Sequence, residues 1–169
     1  MKHGRPVGVE KLDMDSVKDT FNHANDLIRE AVKIENLLQV PLVFDSDLLN
    51  VEVAGALSDD FKSVAINTQH SIYHDLTFER AVGILAHEYG HIDYNHRKGI
   101  LRWNRRPPEP EEELSCDRYA GMVLGRLKLS CCDYIESIRS LHKNGLRNNR
   151  YPTFADSAFA IQEACEKQK

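Results

Sequence analysis

The chain has 169 residues, 41% of them hydrophobic, and a formal charge of −4 at neutral pH. That length builds one domain with a real core and excludes a separate substrate lobe, and the acidic balance argues against a general nucleic-acid binder. Every apolar run falls far short of the ~20 residues that cross a bilayer, and Met1 to Pro6 has basic residues with no apolar stretch behind them, so a soluble, cytoplasmic protein with no membrane partner is expected.

Ser16 and Asp19 stand in capping-box spacing, and Val17, Phe21, Ala24, Ile28 and Ala31 recur at helical intervals, predicting a first helix to about Leu38. His23 on it reads as a surface or half-buried side chain. Val40 to Phe44 reads as a strand, with Pro41 at its start or on an edge and Asp45, Ser46 and Asp47 closing it. Val51 and Val53 alternate with polar neighbours, as do Val64 and Ile66 beyond Ser58-Asp59-Asp60, which predicts a small antiparallel hairpin or meander. Ser63 to Asn67 lies just before the next helix, and as a sheet edge it offers a platform on which an extended peptide can add as a strand. His70 and His74 in the following connection read as solvated.

An apolar helical run, Phe78, Ala81, Val82, Ile84, Leu85 and Ala86, opens at Thr77 with Glu79 in its first turn. It leads into His87-Glu88-Tyr89-Gly90-His91, an HExxH pattern. Two histidines four apart on a helix share a face with Cβ atoms ~5–6 Å apart, so both rings can reach one zinc ion at ~2.0–2.1 Å. Glu88 sits one residue round, beside the open position, where it can take a proton from water rather than ligate. Gly83 and Gly90 weaken the helix, so a neighbouring element is expected to approach closely.

Arg97 to Pro110 gathers Arg97, Lys98, Arg102, Arg105 and Arg106 with Trp103, and reads as a solvated loop balanced by the acids between Glu109 and Glu113. A helix is predicted from Pro110 with Leu114, Ala120, Val123, Leu124 and Leu127 inward. Another runs from about Cys131 to the Asn144-Gly145 stop, and the last opens after Pro152 with Thr153 and Asp156 in capping-box spacing. Cys116, Cys131, Cys132 and Cys165 show no CxxC spacing. Without an export signal they are expected as reduced, partly buried thiols, the rival being a redox-sensitive Cys131-Cys132 pair.

Ile84 to His91, followed by Glu113-Leu114-Ser115-Cys116-Asp117-Arg118-Tyr119-Ala120, resembles the gluzincin zinc metallopeptidases. Within that clan it is similar to the small minigluzincins, relatives of the membrane-bound HtpX-type peptidases, which pair HExxH with ExxxD. The likeness covers roughly residues 60 to 125. The strand-loop-helix order also looks like the ImmA-type peptidases, which usually carry asparagine at the position of Asp117.

The resemblance implies an α+β fold, a single-domain zincin over residues 1–169 with a small antiparallel sheet, an HExxH helix and a glutamate helix. It implies Zn2+ held by His87, His91 and Glu113, with Glu88 as general base and Asp117 orienting a ligand histidine. The activity implied is a zinc-dependent endopeptidase acting on a protein or peptide substrate. Helical spacing agrees, because Glu113, Asp117 and Ala120 fall on one side while Glu112 shares its face with Cys116, and Glu109 and Glu111 sit among prolines. HtpX-like relatives often carry His-Pro and then an arginine near the C-terminus, where this chain has Tyr151-Pro152 and Ser157. Tyr151 is therefore a candidate transition-state donor, together with Tyr134 and His142. The alternative function is a zinc-bound, catalytically idle module that binds a partner protein, and the intact Glu88 argues against it.

Overall fold

The computed structural model describes residues 13–32, 41–45, 53–56, 63–97 and 108–169. The expectations for Leu38, Val40, Val51, the Ser58-Asp59-Asp60 turn, Trp103 and the cations from Lys98 to Arg106 lie outside these residues.

Helix α1, Met14–Ala31, buries Val17, Phe21, Ala24 and Ile28, the stripe read from the sequence. Its cap is Asp13 rather than Ser16. The Asp13 carboxylate accepts the Ser16 amide at 3.1 Å, satisfying the first free donors one turn earlier than the Ser16-Asp19 pattern implies.

Three short strands follow: β1 (Leu42–Phe44), β2 (Ala54–Ala56) and β3 (Val64–Ile66), in the order β1-β3-β2. β2 pairs antiparallel with β3, Ala54 opposite Ile66, as the alternation predicted. β1 joins β3 in parallel, Leu42 beside Val64, so the sheet is mixed rather than antiparallel. β3 is therefore the centre of the sheet and not its edge. Val64, Ala65 and Ile66 are all buried, and a continuous apolar run belongs where both faces are covered. Asp45, at φ 58, closes β1 onto the end of β3 by accepting the Thr68 amide at 2.8 Å and its hydroxyl at 2.7 Å.

A 3-10 turn, Ser71–Asp75, carries Tyr73, whose hydroxyl donates to the Val53 carbonyl at 2.8 Å and whose ring meets Phe21 edge-on. His70 caps this turn, its Nδ1 accepting the Ile72 amide at 3.1 Å. The chain then enters α2, Phe78–Arg97, where the Thr77 hydroxyl accepts the Arg80 amide at 3.1 Å. Every residue of α2 from Ala81 to Ile92 is buried, because α1, β2, α3 (Pro110–Arg126) and α4 (Cys131–Lys143) all pack on it. α5, Phe154–Glu166, lies against α3 and α4.

Local chemistry accounts for the ends of these helices. Pro110 opens α3 with Glu111, Glu112 and Glu113 in its first turn, where the helix dipole favours acids. Ser130 and Thr153 cap α4 and α5, each side-chain oxygen accepting the amide three residues on at 3.2 Å. α4 stops at Asn144, and Gly145 follows at φ 72. Both glycines of α2 meet a close neighbour, as expected. A Cβ at Gly83 would stand 2.2 Å from the Tyr134 ring, and one at Gly90 2.8 Å from the Cα of Cys116.

One buried apolar cluster takes residues from all five helices described. Cys131 and Cys165 form a disulfide, their Cα atoms 6.6 Å apart, which corrects the reading of four reduced thiols. The cause is long-range, since packing brings the start of α4 to the end of α5. Cys116 is buried and free, and Cys132 is exposed and free. No described helix is long and apolar enough to cross a membrane.

Candidate metal centre

His87 and His91 project from α2 toward the first turns of α3, with ring centres 5.1 Å apart. Both are buried, as are Glu88, Glu113 and Asp117. The Nε2 atoms converge on one carboxylate. Glu113 places Oε2 2.9 Å from His87 Nε2 and Oε1 3.4 Å from His91 Nε2. The fold thus brings together the two histidines and the glutamate singled out in the sequence.

Each imidazole also has a carboxylate on its other nitrogen. Asp117 Oδ1 lies 3.1 Å from His87 Nδ1. Glu112 Oε1 lies 3.2 Å from His91 Nδ1 and accepts the Asn95 side-chain amide at 2.8 Å, while Asn95 also donates to the His91 carbonyl at 2.7 Å. Sequence reasoning set Glu112 aside and did not single out Asn95. The available signal was Asn95 standing four residues after His91 on the same helix face. A carboxylate on each Nδ1 fixes the ring plane and the tautomer and leaves Nε2 for a cation.

The electrostatics suit a bound cation. Burial alone would lower the His87 pKa, but hydrogen bonds to Asp117 and Glu113, reinforced by their charges, push it up to about 10. Burial opposes ionisation of Glu113, and the charge of His91 with the hydrogen bond from His87 overrides it, holding the carboxyl below its ordinary range. Asp117 is held well below that range too, since His87 and Arg147 overcome its burial. An anionic Glu113 therefore faces both Nε2 atoms, with an anionic Asp117 behind His87 Nδ1.

A second set of donors is present. His87, His91 and Cys116 offer buried ligand atoms within 4.8 Å of one another, a group that could hold a metal ion. Thiolate is required for ligation, yet burial raises the Cys116 pKa well above normal, and the charges of Glu113, Glu88, Glu112 and Asp117 raise it further. Glu113 is already anionic and touches both Nε2 atoms, so it is the better third donor. Two imidazoles and a carboxylate could hold a metal ion and leave a further coordination position open.

A cavity of about 250 Å³ reaches His87 and Glu88. Its walls are Val53 and Ala54 at the start of β2, Ile84 of α2, and Tyr134, Ile138 and Leu141 of α4. Gly145, Leu146, Arg147 and Tyr151, from the connection between α4 and α5, complete it. Of the three candidate donors, Tyr134 and Tyr151 therefore line the cavity. His142 does not, and packs against Phe154 with ring centres 6.1 Å apart.

Arg147 was not anticipated. It is buried, donates to both oxygens of Asp117 and to Ser157 Oγ, and lies with its guanidinium 4.9 Å from the centre of the Tyr151 ring. Ser157, whose hydroxyl it meets, lies ten residues further along the chain. In comparisons with known proteins, no family model, no curated protein and no solved structure matches the chain.

Proposed function

We propose that the chain is a zinc-dependent endopeptidase. The observation that carries this reading is the convergence of His87 Nε2 and His91 Nε2 on Glu113, with Glu88 next to His87 on the wall of the same cavity. Zinc bound by His87, His91 and Glu113 supplies a Lewis acid that polarises a carbonyl and acidifies water.

The chain's own residues do the rest. The Glu88 carboxylate takes the proton of the attacking water and delivers it to the leaving amine. Asp117 and Glu112 hold the two ligand rings. Tyr151 and Tyr134 line the cavity as candidate hydrogen-bond donors to the developing oxyanion. Burial pushes the Tyr134 phenol well above its usual pKa, so that it keeps its proton. An extended substrate has an edge to join at β2, which lies outermost among the described strands and whose Ala54 borders the cavity.

The deciding experiment is Glu88→Gln, assayed on casein with and without chelator. Metal content stays at the wild-type level while turnover drops by ~10²–10⁴, the usual worth of a positioned general base. A purified variant that cuts at the wild-type rate, or a zinc-loaded wild type that cuts nothing, removes the proposal.

A further inference from the structure

Arg147 sits where three parts of the site meet. It belongs to the connection between α4 and α5, yet its relative exposure is only 7%. Nη2 donates to Asp117 Oδ1 at 3.2 Å, and Nη1 donates to Asp117 Oδ2 at 3.4 Å and to Ser157 Oγ at 3.2 Å. Oδ1 is also the atom that faces His87 Nδ1. The guanidinium lies over the Tyr151 ring, which is part of the cavity wall.

A buried cation this close to a metal centre opposes the metal's own charge, and burying it costs hydration. Pairing with Asp117 offsets that cost, yet charge alone does not set the orientation of the carboxylate. Geometry does, since a two-pronged guanidinium leaves a carboxylate one orientation, whereas a single donor lets it swing about its Cβ–Cγ bond. With Asp117 fixed, the plane of the His87 ring is fixed as well.

We propose that Arg147 is a positioning residue for the metal ligand His87, acting through Asp117, and that it also anchors the cavity wall at Tyr151, so that metal affinity and cavity shape depend on one side chain. The inference rests on the metal-centre reading. Lysine at this position keeps the charge but loses the fork, and methionine keeps much of the volume but loses both.

The full-length chain is tested as wild type, Arg147→Lys, Arg147→Met, Ser157→Ala and Asp117→Asn. Zinc affinity is measured by competition with a chromophoric chelator, and the visible spectrum of the cobalt-loaded protein reports ligand geometry. Arg147→Met is expected to bind zinc ~10–100-fold more weakly, as other losses behind a ligand histidine do. Arg147→Lys, which keeps the buried charge for folding, shifts the cobalt spectrum and is weaker than wild type. Ser157→Ala removes one of three hydrogen bonds and loses less. Arg147→Met combined with Asp117→Asn is no weaker than Asp117→Asn alone, because both act along one path.

Wild-type affinity and spectrum in folded Arg147→Lys overturn the inference, as does a double variant whose losses multiply. A wild-type chain that binds no zinc overturns the metal centre itself, and the inference falls with it.

Discussion

Asp117→Asn is expected to destabilise the metal-free protein as well as weaken metal binding. The Asp117 and Arg147 side chains are 0% and 5% exposed, and the carboxylate accepts two guanidinium bonds and faces His87 Nδ1. Asparagine is nearly isosteric, so packing is kept and the change is electrostatic. Its NH2 must point at one of two donors, the His87 ring or the Arg147 fork, and the arginine charge loses its counter-ion. Breaking one partner of a buried pair costs ~3–5 kcal/mol. Asparagine still accepts one bond, which places this case near the lower end, at about 3 kcal/mol. Against a typical total of ~5–15 kcal/mol, that is a large fraction. Urea denaturation of the chelator-treated protein measures it, read from the midpoint at unchanged slope. Adding Arg147→Met to Asp117→Asn recovers part of the loss, because the stranded charge is gone. A change within ~0.5 kcal/mol for Asp117→Asn alone, the range of ordinary surface substitutions, would refute the buried-pair account.

The two donor sets separate by mutation. Glu113→Ala is expected to lose zinc affinity severely, whereas Cys116→Ala retains it and costs only the ~1 kcal/mol of a small core cavity, both read by chelator competition and thermal melting. In the metal-free protein the folded pKa of His87 is raised to about 10. Its protonation therefore contributes stability that is complete below the unfolded value of ~6.5 and is lost as pH rises toward about 10, so urea midpoints fall across that window, and zinc uptake at mildly alkaline pH releases protons to a weakly buffered indicator dye. Reduction of the Cys131–Cys165 bridge, or Cys165→Ser, frees a loop closed over 34 residues, and a loss of ~3–4 kcal/mol is expected in denaturation with and without reductant.

What the sequence revealed was local. Thr153 and Asp156, Pro110 and Asn144-Gly145 mark helix ends because each works through hydrogen bonds or backbone angles within a few residues, and the structure has the ends there. The pair of histidines and the Glu113-Asp117 pair were legible for the same reason, as spacing along one helix fixes a face. The first helix shows the limit, since Asp13 competes with Ser16 for the same amides and pattern alone does not rank them. Strand order was not legible. A three-residue strand carries little register information, and that β1 pairs with β3 depends on what packs above it. Arg147, Glu112 on His91 and the Cys131–Cys165 bond share this cause, because each depends on the approach of elements 21 to 34 residues apart. The expectation of four reduced thiols followed from the expected cytoplasmic compartment, and it does not hold for Cys131 and Cys165.

The contact at Gly90 divides the labour of the site between different owners. With only hydrogen on that carbon, the main chain of α2 rests against the main chain of α3 at Cys116, so the gap between the donors on the two helices is set by backbone rather than by side chains that repacking could alter. The opposite cavity wall comes largely from Ile138, Leu141 and Leu146, on α4 and the connection after it. A library randomised at those three positions should thus change the shape offered to an incoming side chain while leaving the donor spacing as it is. Arg147 marks the border between the two territories, and variation there trades one property against the other.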